Sequence, residues 1–166
     1  MKSTFSPIRT IVFGVGNSLR GDDGVGPYLA DLVDTLDWPE VHSRSVHQLT
    51  PELAADISGV DRVIFIDARL KHAGESSEMV QIERIEWSKH HTPLSHSCAP
   101  ASLLALADTL FGRVPEAWLV TITGQCFEPG DRLSAPVLHA VPLALEAVHS
   151  LLQTSAATPT WGGKHA

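Results

Sequence analysis

Cysteine is scarce: the chain of 166 residues has two, Cys98 and Cys126. Two cysteines make no disulfide scaffold, and a reducing, cytoplasmic setting is the simpler expectation. Cations are few as well, with 12 Lys and Arg against 19 Asp and Glu. The net charge of −7 argues against a protein that grips a phosphate backbone, so no nucleic acid is expected as a partner. Long apolar runs are missing. None approaches the roughly 20 residues of a membrane span, and no membrane insertion is expected. The N-terminus lacks a signal-peptide layout, because the apolar stretch at residues 11–15 is short and runs into Gly and Asn. What is present is 43% hydrophobic and 19% charged, a balance that argues against disorder. At this length one domain is expected over residues 1–153, with a Thr-, Ala-, Pro- and Gly-containing tail over 154–166 that should fray.

No internal repeat or low-complexity tract interrupts the chain. Three short, nearly continuous apolar runs, at residues 10–13, 62–66 and 117–122, read as buried strands. Continuous rather than alternating apolarity is what a parallel sheet covered on both faces requires. A weaker strand is expected over 41–46. Helical spacing lies between these runs. Val25, Leu29, Leu32, Val33 and Leu36 define one apolar face. Thr50-Pro51 reads as a cap and first helical residue for a short helix through Ile57. Pro100 opens a helix to Phe111 with Leu103, Ala107, Leu110 and Phe111 on one side. Ser134 can cap a last helix, in which Pro142 predicts a kink or a late start. Residues 78–86 alternate like an edge strand. They follow the third strand too closely for a helical crossover, so an antiparallel strand is expected. The class is α/β.

Several known signatures are absent from the loops where an α/β sheet binds its ligands. The segment G-V-G-N-S-L-R-G-D-D-G-V-G, residues 14–26, has Leu19 where a dinucleotide fingerprint needs glycine. No Gly-Lys-Ser/Thr follows, and adjacent Asp22 and Asp23 would repel a phosphate. There is no Gly-x-Ser-x-Gly elbow and no H-E-x-x-H helix. Cys98 beside His96 is a poor nucleophile pair, since residues two apart in an extended segment point to opposite sides.

Asp23, Asp67 and His96 remain, on three loops that a sheet can bring together. Two carboxylates and one imidazole suit a borderline divalent cation such as Zn²⁺ or Ni²⁺ and leave coordination positions open. Other readings stand beside this one. Asp67 could cap a turn after its strand. Asp22 and Asp23 could complement the dipole of the following helix, which for Asp22 is the leading reading. Of the nine histidines, His90 and His91 read as a solvated loop pair. His42, His72, His139, His149 and His165 read as surface or packing residues. His47, after the second strand, is a candidate helper beside the site.

The glycine-rich segment resembles the N-terminal signature of the nickel-iron hydrogenase maturation endopeptidases. V-H-Q-L-T-P-E-L (46–53), V-I-F-I-D-A (63–68), L-S-H (94–96), F-E-P-G (127–130) and the Leu133-Ser134 pair resemble further family segments, in the family's order. The resemblance implies a three-layer α/β/α fold with a five-stranded, mostly parallel sheet and one antiparallel strand. It implies removal of a C-terminal extension from a nickel-iron hydrogenase large-subunit precursor after nickel insertion. Carried over by motif, the family's metal-contacting residues fall on Asp23, Asp67 and His96, which would also be the catalytic set. The expected cation is nickel supplied by the substrate. The alternatives are a hydrolase of small amides or peptides holding its own zinc, or a nickel-sensing chaperone that docks on the same subunit without cutting it.

Overall fold

A computed structural model describes residues 9–71, 78–88 and 99–155. In chain order these form β1 (Thr10–Val15), α1 (Val25–Thr35), β2 (Val41–Val46), α2 (Leu53–Ser58), β3 (Arg62–Leu70), β4 (Val80–Arg84), α3 (Pro100–Phe111), β5 (Glu116–Gly124) and α4 (Ala135–Gln153). The strands make one five-stranded sheet in the order β2-β1-β3-β5-β4. The β4–β5 pair is antiparallel and the other three pairs are parallel.

Successive strand residues point to opposite faces, and each face has its own core. Val12, Ile64, Ile66, Val120 and Ile122 pack against α1 and α4. Phe13, Val63, Phe65 and Ala117 pack against α2 and α3, with the rings of Phe13 and Phe65 stacked at 6.0 Å. The result is the three-layer α/β/α arrangement. Burial of the run from Arg62 to Ile66 is continuous, as two covered faces demand. Each buried Val, Leu, Ile or Phe contributes about 1.5–3 kcal/mol.

The helices follow their apolar stripes, with informative departures at the ends. In α1, Val25, Leu29 and Val33 are buried on the expected face. α2 begins at Leu53 rather than Pro51, because Thr50 and Pro51 supply carbonyls to a tight turn instead of capping. In α3, Leu103 and Ala107 are buried but Leu110 and Phe111 are 61% and 48% exposed. They lie in the last turn before Gly112, whose left-handed conformation (φ 63°) ends the helix. α4 neither starts late nor stops at Pro142. Pro142 lies on the solvent side, where water can satisfy the carbonyl that its missing N–H leaves free. α4 reaches a mean hydropathy of 1.4, long and apolar enough by composition to cross a membrane. Here it is a core helix, with Val137, Val141, Ala144, Val148 and Leu151 buried.

A fully buried arginine closes one end of the sheet. Arg62 Nε and Nη2 meet Glu116 at 2.9 and 2.8 Å, and Nη2 donates to the Thr154 carbonyl at 2.9 Å. Its Nη1 donates to the carbonyl of Leu151. The guanidinium thereby satisfies orphan carbonyls where α4 ends and ties that helix to β3 and β5.

Candidate functional site

The opposite end of the sheet is where ligands of such folds bind, in the crevice where the strand order reverses. Here the reversal lies between β1 and β3. β1 pairs with β3 only as far as Gly14 and Ile66, whereas β3 stays paired with β5 to Leu70 and Gly124. Asp67 is therefore the first residue of β3 beyond the reach of β1. It does not end its strand, as its sequence position suggested, nor does it cap a turn; the strand continues for three residues.

The chain leaving β1 folds back over this crevice. Gly16 adopts φ 140°, and a β-carbon there would lie 2.0 Å from the Asp23 carbonyl oxygen. A β-carbon on Gly26 would collide with the carbonyl oxygens of Val15 and Ile66, at 2.3 and 2.6 Å. Glycine lets the first turn of α1 rest directly on β1 and β3. The glycines therefore serve close packing of a helix against two strands. The Asn17 backbone N–H donates to Asp23 Oδ2 at 2.8 Å and fixes that carboxylate.

Asp23 and Asp67 line one cavity of about 530 Å³, together with Gly16, His47, Phe65 and Pro100. Burial pushes the Asp67 carboxyl up from 3.8 to about 6, and the negative charge of Asp23 pushes the same way against a hydrogen bond from the Ala68 N–H. Two carboxylates facing one partly dry space form a site whose electrostatics a cation would relieve. A smaller cavity of about 300 Å³ lies at the other end of the sheet, beside Trp38 and His149, and has no acid in its lining.

Asp22, next to Asp23, points elsewhere. It is fully buried, and the backbone N–H groups of Gln125, Cys126 and Ser134 donate to it at 2.7, 2.9 and 2.6 Å. The Ser134 hydroxyl donates at 2.8 Å. Burial disfavours its charge, yet these donors outweigh burial and hold its carboxyl below the ordinary range. Asp22 is thus a link to the start of α4 rather than a dipole partner of α1. Ser134, expected to cap α4 with its hydroxyl, spends that hydroxyl on Asp22.

Of the proposed ligand set, the structure brings Asp23 and Asp67 together; His96 lies outside the described residues, as do Cys98, His90, His91, His72 and His165. Among the described residues no group of three metal-ligating side chains converges. His47 is exposed on the cavity wall, on the side its position after β2 suggested, while His42, His139 and His149 are exposed elsewhere. The fourfold grip on Asp22 was not anticipated. Its donors lie 103 to 112 residues away in the chain, beyond the reach of any local sequence pattern.

No protein-family model and no curated protein sequence matches the chain. Solved structures do. A hydrogenase 2 maturation peptidase from a Thaumarchaeota archaeon is 27% identical, with a TM-score of 0.64 over 87% of this chain and 97% of that one. The Escherichia coli hydrogenase maturating endopeptidase HybD is 25% identical, with a TM-score of 0.64 over 92% of this chain and 98% of its own. The chain is similar in fold and sequence to the hydrogenase maturation endopeptidases. An endopeptidase from Escherichia coli solved in solution, at 25% identity and a TM-score of 0.66 over 92% of this chain and 96% of that one, shares the same likeness. Against the maturation endopeptidase fold, the Asp23–Asp67 cavity occupies the switch crevice and the Arg62 cluster the opposite end.

Proposed function

We propose that this chain removes the C-terminal extension of a nickel-iron hydrogenase large-subunit precursor once nickel has been inserted. In this reading Asp23, Asp67 and His96 complete the coordination of the nickel that the precursor carries. The observation that carries it is the carboxylate pair: two acids held in one cavity, one of them raised to about 6 by burial and by the other. Such a pair favours a dication, and carboxylate with imidazole suits a borderline one. His96 precedes Ala99 by three residues, and Ala99 lines the cavity.

The reaction is hydrolysis of one peptide bond. Water adds to the scissile carbonyl carbon, the C–N bond breaks, and the proton from water ends on the departing amine. Nickel, held by the precursor, would polarise the carbonyl and lower the pKa of the attacking water. The chain's own residues do the rest. Asp23 and Asp67 hold the scissile bond in register through the ion, converting an encounter into an oriented reaction. A carboxylate oxygen of Asp23 or the imidazole of His47 carries the proton. Cutting that depends on the substrate's metal reports whether that metal has been loaded.

The test is metal analysis of the purified protein, followed by incubation with precursor prepared with and without nickel. Little metal at rest and cleavage of loaded precursor alone is the expected result. Tightly held zinc with cleavage of nickel-free precursor would make the protein a zinc hydrolase instead. Association without loss of mass from the precursor would make it a chaperone.

A further inference from the structure

Asp22, next to Asp23 in the chain, is a fully buried carboxylate that the proposed reaction does not use. It joins the turn that carries Asp23 to the distant loop after β5 and to Ser134, the residue that precedes α4. Its Oδ2 accepts from Gln125 N–H, Cys126 N–H and the Ser134 hydroxyl, and its Oδ1 from Ser134 N–H. The backbone ties the same segments again. Asp22 N–H donates to the Cys126 carbonyl at 2.8 Å, Gly21 N–H to Gly130 at 2.8 Å, and Gly130 N–H to Leu19 at 2.9 Å. Gly124 admits this approach, since a β-carbon there would stand 3.1 Å from that of Asp22 and 2.4 Å from the Phe127 ring.

Buried charge without partners is costly, and a carboxylate with four donors is instead among the stiffest links a fold can make. Its neighbour in the chain is Asp23. One peptide unit leaves little slack, so the grip on Asp22 sets where Asp23 stands. We propose that Asp22 is a positioning residue, holding the turn so that the Asp23 carboxylate faces Asp67 across the cavity. The inference rests on the reading of Asp23 as a member of the site. It assigns Asp22 no contact with substrate; Asp22 acts through its neighbour.

The Asp22→Asn variant tests it. The amide is the same size, and its oxygen can keep the three donors on one side, but its NH2 then meets the Ser134 N–H, donor against donor. With nickel-loaded precursor, kcat should fall at least tenfold while KM stays within about twofold, because a misplacement of about 1 Å in a reacting group can cost about a hundredfold. The thermal midpoint must be read alongside. A folded variant with wild-type kcat would overturn the inference and make Asp22 merely a staple of the fold. If Asp22→Asn does not fold, Ser134→Ala removes the hydroxyl alone. A severalfold loss of kcat at unchanged KM then supports positioning, and an unchanged kcat overturns it. Asp23→Asn separates the two levels: full activity in that variant sinks the site itself, whereas a dead Asp23→Asn beside a fully active, folded Asp22→Asn sinks only the positioning role.

Discussion

A carboxyl near 6 in the folded chain, against 3.8 in an exposed one, opposes folding at neutral pH. The sign follows from which state binds the proton more tightly. Well below 3.8, near pH 3, Asp67 is protonated both folded and unfolded and costs nothing. As pH rises through 6 the unfolded chain holds a well-hydrated carboxylate, while the folded one holds it in a cavity beside Asp23. The shift corresponds to at most about 3 kcal/mol, and to less because Asp67 is partly exposed and water screens it. Asp67→Asn should therefore raise the unfolding midpoint at pH 8 by a few degrees, at about 2–4 °C per kcal/mol for a chain of this size. It should leave the midpoint unchanged near pH 3. Thermal melts at the two pH values read this directly. The same variant should lose cleavage of loaded precursor by at least about a hundredfold, a gain in stability set against a loss of function. Asp67 stood out in the sequence as an acid directly after an apolar run, where a turn cap was the other reading; its place in the cavity comes from β3 continuing past the reach of β1. The role of Asp22 was not legible beyond a helix-dipole partner, since the donors that occupy it come from more than 100 residues away.

At the scale of elements, interiors were readable and several ends were not. β2 spans the expected residues, and α1 begins where its apolar stripe begins. β3 runs past Asp67 because β5 continues beside it, and nothing in the A-R-L that follows Asp67 announces a partner strand. The start of α2 was lost to a tight turn at Thr50 and Pro51. The continuity of α4 through Pro142 depends on which side faces water, a tertiary fact. Two predictions belong here. Pro142→Ala restores a backbone donor on an exposed helix position and should stabilise by about 1–2 kcal/mol, below the roughly 3 kcal/mol of helix propensity because proline also restrains the unfolded chain. Urea denaturation at unchanged m-value checks it. Gly26→Ala should do the reverse, because backbone oxygens of two strands occupy the space its methyl needs. Loss of several kcal/mol is expected, with cleavage falling even at temperatures where the variant stays folded, since the turn bearing Asp23 would be pushed off the crevice.

Across the whole molecule, the two ends of one strand carry opposite assignments. Arg62 at the start of β3 binds α4 to the sheet; Asp67, five steps along at about 3.3 Å each, faces the cavity some 16 Å away. Among the described residues Arg62→Met leaves Glu116 buried with the more distant Arg84 guanidinium at 3.9 Å, so it should destabilise by about 3–5 kcal/mol. Separation of this size predicts additivity, within about 0.5 kcal/mol, between Arg62→Met and Asp67→Asn. Cation binding should divide the two ends more sharply. A dication held by Asp23 and Asp67 binds the folded chain alone and stabilises it by mass action. Millimolar Ni²⁺ should then raise the melting midpoint at pH 8. The rise should shrink at pH 5, where protons compete for Asp67 on the low side of its pKa near 6. Asp67→Asn should abolish the rise despite its higher starting midpoint. Arg62→Met, though much less stable, should show the same metal-induced gain in free energy as the parent. A gain that tracked overall stability instead of Asp67 would mean that the ion binds elsewhere, and the carboxylate pair would lose its claim to the metal.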